Sequence, residues 1–162
     1  MAITRLNNNS ITSITALPSA VAVANTPSFL VRNGGSGQSI ANGTTVKITA
    51  WDTADFDTDS GWDATNSKFV IPTGKGGKYL FSASLKSGST SDLRLHTRIY
   101  LNGSWVTGNS ANITYYASTN TIVILDCSAG DYIEVYGKSD ESSGTTVGTD
   151  SREEYFLGYK LI

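Results

Sequence analysis

Four phrases in the second half of the chain decide its fold. They are Lys68-Phe69-Val70-Ile71-Pro72, Gly77-Lys78-Tyr79-Leu80-Phe81, Ala129-Gly130-Asp131-Tyr132-Ile133-Glu134-Val135-Tyr136 and Tyr155-Phe156-Leu157-Gly158-Tyr159. Each phrase predicts a β-strand that carries a turn residue, glycine or proline, in or beside it. The last phrase predicts a strand that runs on to the C-terminus.

The rest of the sequence repeats this pattern. Phe29-Leu30-Val31 reads as a first strand, and a strand from Val46 to Trp51 alternates apolar with polar residues. Leu93 to Leu101 alternate in the same way, and Asn102-Gly103 supplies the left-handed conformations of a tight hairpin turn. With no helical period, these strands predict an antiparallel sandwich, and periodicity alone leaves immunoglobulin-like and jelly-roll forms open.

Three segments rich in turn-forming residues are predicted to be loops. They are the glycine-rich segment 33–37, the aspartate-rich segment 52–63 and the Ser/Gly/Thr-rich segment 139–150.

The order, the spacing and the closing aromatic-Leu-Gly-Tyr strand resemble the globular domain of C1q. The resemblance covers about residues 28–162 and rests on Phe69, Pro72, Gly77, Tyr79, Phe81, Gly130, Asp131, Val135, Phe156, Gly158 and Tyr159. It implies an all-β antiparallel jelly roll of the C1q and tumour necrosis factor (TNF) type. It also implies a compact homotrimer in which each sandwich lays one face along a threefold axis.

Size and charge restrict the functional classes. The 162 residues suit one domain with an extension, and the net charge of -2 argues against sequence-independent binding of nucleic acid. No apolar run is long enough to span a bilayer, and the first residues lack the apolar core of a secretory signal. The single cysteine, Cys127, is predicted to be a buried and inert thiol.

Residues 1–27 differ from the rest and form a predicted N-terminal arm before the domain of residues 28–162. Small apolar residues between Pro18 and Pro27 cannot build a core alone. The arm is either an extended anchor ordered by a larger assembly or a mobile tail.

The sequence has no Gly-x-y stalk, and together with the arm this favours a phage virion protein. A tail-fibre tip, a head fibre or a capsid decoration protein would each fit, with the virion as its location and a host-surface glycan as a ligand. The segments Leu6–Ile11 and Ala16–Pro18 resemble the openings of some phage structural proteins. The alternative is a soluble C1q-like lectin or pattern-recognition module of a cellular organism.

The segment Asp55-Phe56-Asp57-Thr58-Asp59-Ser60-Gly61 suggests calcium. Its three carboxylates, Asp55, Asp57 and Asp59, stand at alternate positions before a glycine, a spacing that can wrap oxygen atoms around Ca²⁺. It is not an EF-hand, because Ser60 and Asn66 stand where glycine and an acidic residue are required. The alternative is a solvated acidic loop.

Arg94, His96 and Arg98 fall on one face of a predicted strand and form a candidate basic stripe. It would bind an anionic glycan or a neighbouring subunit's carboxylates, or simply be an outward polar face. Trp51, Trp62 and Trp105 lie near loops, where aromatic rings either bind sugars or close the ends of a core, and Trp62 is assigned to the core.

No catalytic motif accompanies the only histidine, His96. The chain has no Gly-x-Ser-x-Gly elbow, and Gly74-Lys75-Gly76-Gly77-Lys78 lacks the serine or threonine of a phosphate loop. A non-enzymatic protein is therefore predicted.

Overall fold

A computed structural model describes residues 26–140, 144–150 and 152–162 of the chain. The predicted N-terminal arm therefore lies almost wholly outside the described residues. Within them no helix has the length and apolar character needed to cross a lipid bilayer.

The described residues form an all-β structure. In chain order its strands are β1 (Ser28–Arg32), β2 (Gln38–Ile40), β3 (Thr45–Lys47), β4 (Thr53–Asp57), β5 (Trp62–Asp63), β6 (Lys68–Val70), β7 (Gly77–Lys86), β8 (Leu93–Leu101), β9 (Ser104–Ile113), β10 (Ser118–Cys127), β11 (Tyr132–Ser139), β12 (Thr145–Val147) and β13 (Tyr155–Lys160). All pairings between these strands are antiparallel.

Two sheets build a jelly-roll sandwich. The first sheet has the order β10-β7-β13-β1-β4, and the second has the order β5-β6-β11-β8-β9, with β3 also paired to β11. The first described strand lies between β13 and β4, so the two ends of the domain meet in one sheet. A small pair, β12 and β2, lies apart from these two sheets.

An aromatic cluster joins the two sheets. The ring of Phe29 on β1 stacks on that of Phe69 on β6, with centroids 4.1 Å apart, and meets Phe156 on β13 edge-on at 4.9 Å. All three side chains are fully buried. Gly158 allows this packing, because a Cβ there would lie 2.8 Å from a carbon of the Phe29 ring and closer still to Phe81.

Most predicted strands are present, and the hairpin is confirmed. Asn102 and Gly103 have φ angles of 51° and 77°, as a tight two-residue turn with two left-handed residues requires. Trp62 packs against the core, as predicted, with its ring 6.0 Å from Phe29. The predicted strand from Val46 to Trp51 is shorter than expected, since β3 covers Thr45–Lys47 and its pairing ends with a hydrogen bond from Ile48 N–H to the Val135 carbonyl at 2.9 Å.

Two of the three predicted loops are wrong in part. Segment 52–63 contains β4, which pairs with β1, and β5, which pairs with β6. Segment 139–150 contains β12, which pairs with β2 and buries Val147 completely. The strands were missed because polar side chains on an edge strand hide backbone pairing that depends on a partner distant in sequence.

Glu154 is a buried carboxylate that fixes the segment before β13. It is 1% exposed and accepts hydrogen bonds from three backbone N–H groups. These are Lys86 at 3.0 Å, Gly148 at 2.6 Å and Asp150 at 3.1 Å. The contacts connect the end of β7 to the turn after β12.

Replacing Glu154 with glutamine should destabilise the protein by about 1–3 kcal/mol, because one buried N–H would lose its acceptor. Chemical unfolding of Glu154→Gln would measure the loss. The control is Glu153→Gln, since Glu153 is half exposed and is bound by the Lys86 ammonium and the Ser118 hydroxyl. Equal stability of the two variants would contradict this role for Glu154.

The prediction of a buried thiol at Cys127 is confirmed. The side chain is 3% exposed, and burial, followed by the nearby Asp131 and Asp126 carboxylates, raises its pKa to about 11.

Cys127 should therefore react very slowly with a thiol-specific disulfide reagent in the native protein at pH 8, because on the order of one thiol in a thousand is ionised. Guanidinium-unfolded protein should react at the rate of glutathione. The absorbance of the released thiolate gives both rates, and comparable rates in the two states would show that Cys127 is accessible.

Candidate functional site

The predicted basic stripe lies on the outer face of the second sheet. Arg94, His96 and Arg98 on β8 alternate with buried residues, of which Leu95 and Ile99 have no exposed surface. The strand therefore directs the three basic side chains to solvent. They do not act as one group, because each has a different partner.

His96 is held by an acidic residue that the sequence analysis did not identify. Its Nε2 lies 3.0 Å from a carboxylate oxygen of Asp140, whose other oxygen accepts a hydrogen bond from Lys138 Nζ at 2.5 Å. These contacts, Lys138 first and His96 second, lower the pKa of Asp140 to about 2. Asp140 lies just after β11, and the pairing of β11 with β8 brings it beside His96.

Arg98 has a different environment. Its guanidinium carbon lies 4.4 Å from the centre of the Trp105 ring, and Nη1 donates to the Thr45 hydroxyl at 3.0 Å. Its Nε is buried and has no hydrogen-bond partner among the described residues. Arg94 at the far end of the stripe donates instead to Asn112, with an Nε–Oδ1 distance of 3.2 Å.

A β-bulge places Trp105 beside Arg98. Thr107 pairs with Ile99 and Trp105 pairs with Tyr100, so Val106 is an extra residue in β9. If β9 paired without this bulge, Val106 would stand opposite Tyr100, and Trp105 would share the face of Thr107 instead of the face of Arg98. Regular alternation along β9 predicts the opposite face for the indole, so the sequence pattern does not reveal this contact.

Residues of β3, β8 and β11 continue the outer face of the second sheet on the side away from β9. The rings of Tyr100 and Tyr136 lie 4.1 Å apart, and Lys47 on β3 forms an ion pair with Glu134 at 2.6 Å. Glu134 is only 7% exposed. The lysine therefore neutralises the carboxylate that the sheet buries.

The three carboxylates proposed for calcium are not brought together. Asp55 pairs with Arg32 at 2.6 Å, and Asp59 pairs with Lys75 at 3.0 Å, a hydrogen bond that lowers the pKa of Asp59. Asp57 accepts hydrogen bonds from the backbone of Gly61 and Trp62. No cluster of three or more possible metal ligands occurs among the described residues. The calcium prediction thus has no support from the positions of these side chains.

The residues that carried the family resemblance serve the fold. Phe69, Tyr79, Phe81, Val135 and Phe156 are fully buried. Two others shape the turn before β11, since Gly130 has a φ of +90° and the Asp131 carboxylate accepts from the Ser128 backbone at 2.7 Å and from Asn102 at 2.8 Å. Pro72 follows β6, and Gly77 has a φ of +141° at the start of β7.

Tyr159 differs from the other residues of this set, because its side chain is 39% exposed on the outer face of the first sheet. It belongs to an apolar band that crosses all five strands of that sheet. The band consists of Phe56 on β4, Leu30 on β1, Leu157 and Tyr159 on β13, Leu80 on β7, and Ile122 and Ile124 on β10. Phe56, Ile122 and Ile124 are 46%, 59% and 57% exposed. Part of the band lines a groove of about 350 Å³.

Comparison with known proteins agrees with the architecture. No family model matches the sequence, and no curated protein matches it significantly. Among solved structures, the globular domain of zebrafish complement 1qA protein gives a TM-score of 0.58 at 14% identity, covering 85% of this chain and 98% of that one. Murine APRIL at pH 8.0 gives 0.62 at 12% identity, covering 83% and 98%.

Identities this low show the fold alone. The chain is an antiparallel jelly-roll sandwich of the C1q and TNF type, and the predicted fold class is confirmed. The virion setting stays a prediction.

The pKa of Asp140 tests the contacts around His96. A carboxyl titration followed by NMR should give a pKa of about 2. Lys138→Met should raise it more than His96→Gln, because the hydrogen bond from Lys138 is the larger cause. Since the folded pKa lies below the unfolded value, the pairing stabilises the fold above about pH 4, and this stability is lost as the pH falls towards 2. A larger rise in the histidine variant would contradict the assignment.

Proposed function

We propose that the protein is a non-enzymatic homotrimeric module that has structural and binding roles. The apolar band on the first sheet carries this proposal. It runs unbroken from Phe56 to Ile124 across the sheet, and exposed apolar surfaces of this extent typically mark contacts with another protein.

A second copy of the chain is the partner that best fits the band. The segment between β9 and β10 carries Tyr115 and Tyr116, which are 67% and 48% exposed at the edge of the sandwich. An edge that packs on the band of a neighbour makes a heterologous contact, and such contacts close into rings. C1q-like and TNF-like domains are trimeric, which supports closure by three copies.

The surroundings of His96 support the absence of catalysis. A serine-type triad needs a hydroxyl hydrogen-bonded to the histidine base. Ser110 stands opposite His96 in the pairing of β8 with β9, but within the described residues its hydroxyl makes no hydrogen bond with the ring. Asp140 is thus shared by His96 and Lys138, and within the described residues no hydroxyl is hydrogen-bonded to the ring.

In the proposed trimer, the outer face of the second sheet stays accessible on every copy. Three weak sites presented together bind a repetitive surface with avidity. The N-terminal arm of residues 1–27 tethers the trimer to a virion, as a tail-fibre tip, a head fibre or a capsid decoration protein. Support for the virion comes from the sequence of the arm, and the alternative is a C1q-like lectin that works without a particle.

Immunogold electron microscopy of particles purified from the source would separate these two settings. An antibody against the domain should label virions at fixed positions. A protein added back without residues 1–25 should form trimers and fail to bind particles. Unlabelled virions, with the protein found only in the particle-free fraction, would favour the lectin.

A charged residue in the apolar band should break the trimer. Sedimentation velocity of the wild-type protein should give about three times the chain mass of 17.2 kDa. Ile122→Asp should sediment as a monomer with an unchanged circular dichroism spectrum, because burying an unpaired carboxylate in an interface is strongly unfavourable. The control is Asn112→Asp, at an exposed position on the outer face of the other sheet. A monomeric wild-type protein at all concentrations would refute the assembly.

A further inference from the structure

A groove on the outer face of the second sheet has the features of a ligand site. It has a volume of about 300 Å³ and lies between β8 and β9. The lining residues are His96, Arg98, Trp105, Gly108, Asn109 and Ser110. It lies on the opposite side of the sandwich from the apolar band, so the proposed trimer would leave it open.

The groove contains an exposed indole fixed in one orientation. Trp105 is 59% exposed, and its Nε1 donates to the Thr107 carbonyl at 2.8 Å. The Arg98 guanidinium covers one face of the ring. Gly108 makes room for this stack, since a Cβ there would lie 2.9 Å from Arg98 Cγ and 3.0 Å from the Thr97 carbonyl. An aromatic ring held this way offers its free surface to a flat apolar partner.

Arg98 carries the unbalanced charge of the groove. Asp140 forms an ion pair with Lys138 and also contacts His96 Nε2, whereas Arg98 forms no ion pair within the described part of the chain. Its buried Nε has no acceptor. A partly desolvated cation without a counter-ion is unfavourable, and a carboxylate is the group that a guanidinium fork binds best.

Sugars that carry a carboxylate combine the two required features. A pyranose ring has an apolar C–H face that packs on an indole, and its hydroxyl groups reach polar side chains such as Ser110. We propose that this groove binds an acidic saccharide, with its carboxylate on Arg98 and its ring on Trp105. The inference rests on the proposed binding function and names its ligand class.

Calorimetric titration of the full-length protein tests the inference. The probes are short oligomers of sialic acid and of galacturonic acid, with a neutral malto-oligosaccharide of the same length as comparison. At least one acidic oligomer should bind roughly tenfold or more tightly than the neutral one. Arg98→Gln should remove this preference, and Trp105→Ala should weaken binding of the preferred oligomer roughly tenfold or more.

Arg94→Gln is the matched control, because Arg94 lies on the same strand and face but outside the groove. It should leave the affinity within about twofold, and Arg98→Lys should lose most of the preference while keeping the charge. No binding of any acidic oligomer, or equal affinity in the Arg98→Gln variant, would overturn the inference.

Sedimentation of the same samples separates this inference from the trimer. A trimeric wild-type protein that binds no acidic oligomer would overturn the inference and leave the proposed assembly standing. A monomeric wild-type protein that binds an acidic oligomer would overturn the proposed assembly and leave the inference standing. If Arg98→Gln dissociates the trimer, the charge is matched by a neighbouring subunit, and the saccharide inference is wrong.

Discussion

The stacking of Phe29 on Phe69 is the contact on which the sandwich depends. Phe29 belongs to the first sheet and Phe69 to the second, and their rings lie 4.1 Å apart in the centre of the core. Phe156 and Phe81 surround the pair from the first sheet, and Gly158 leaves space for them. Because these rings set the spacing of the two sheets, every strand side chain that points away from the core lies on the outer face of one sheet or of the other.

The two outer faces have opposite chemistry. The first sheet presents leucine, isoleucine, phenylalanine and tyrosine side chains across its whole width. The second presents arginine, histidine, tryptophan and tyrosine, and beside them lie the ion pairs of Lys47 with Glu134 and of Lys138 with Asp140. An apolar face suits permanent contact with protein, whereas a charged and aromatic face suits a polar ligand that comes and goes. The proposed assembly and the proposed ligand site thus use opposite sides of one sandwich.

The sequence predicted the fold class and the core better than the candidate site. Alternation from Leu93 to Leu101 predicted a half-buried strand, and Leu95 and Ile99 are fully buried, because such a strand shows its faces directly in its pattern. It missed β4 and β12, whose polar residues pair with distant partners, and it placed three aspartates together that the fold separates. Asp140 and Trp105 reach the site through strand register and a bulge, which a residue pattern does not encode.

The extra residue in β9, Val106, has a consequence for how such a surface diversifies. If the bulge were lost while Val106 stayed, Val106 would stand opposite Tyr100, and the indole of Trp105 would point inward. None of the aromatic core residues lies in this hairpin. The side chain that such a hairpin presents outward can therefore change through the position of a bulge as well as through substitution.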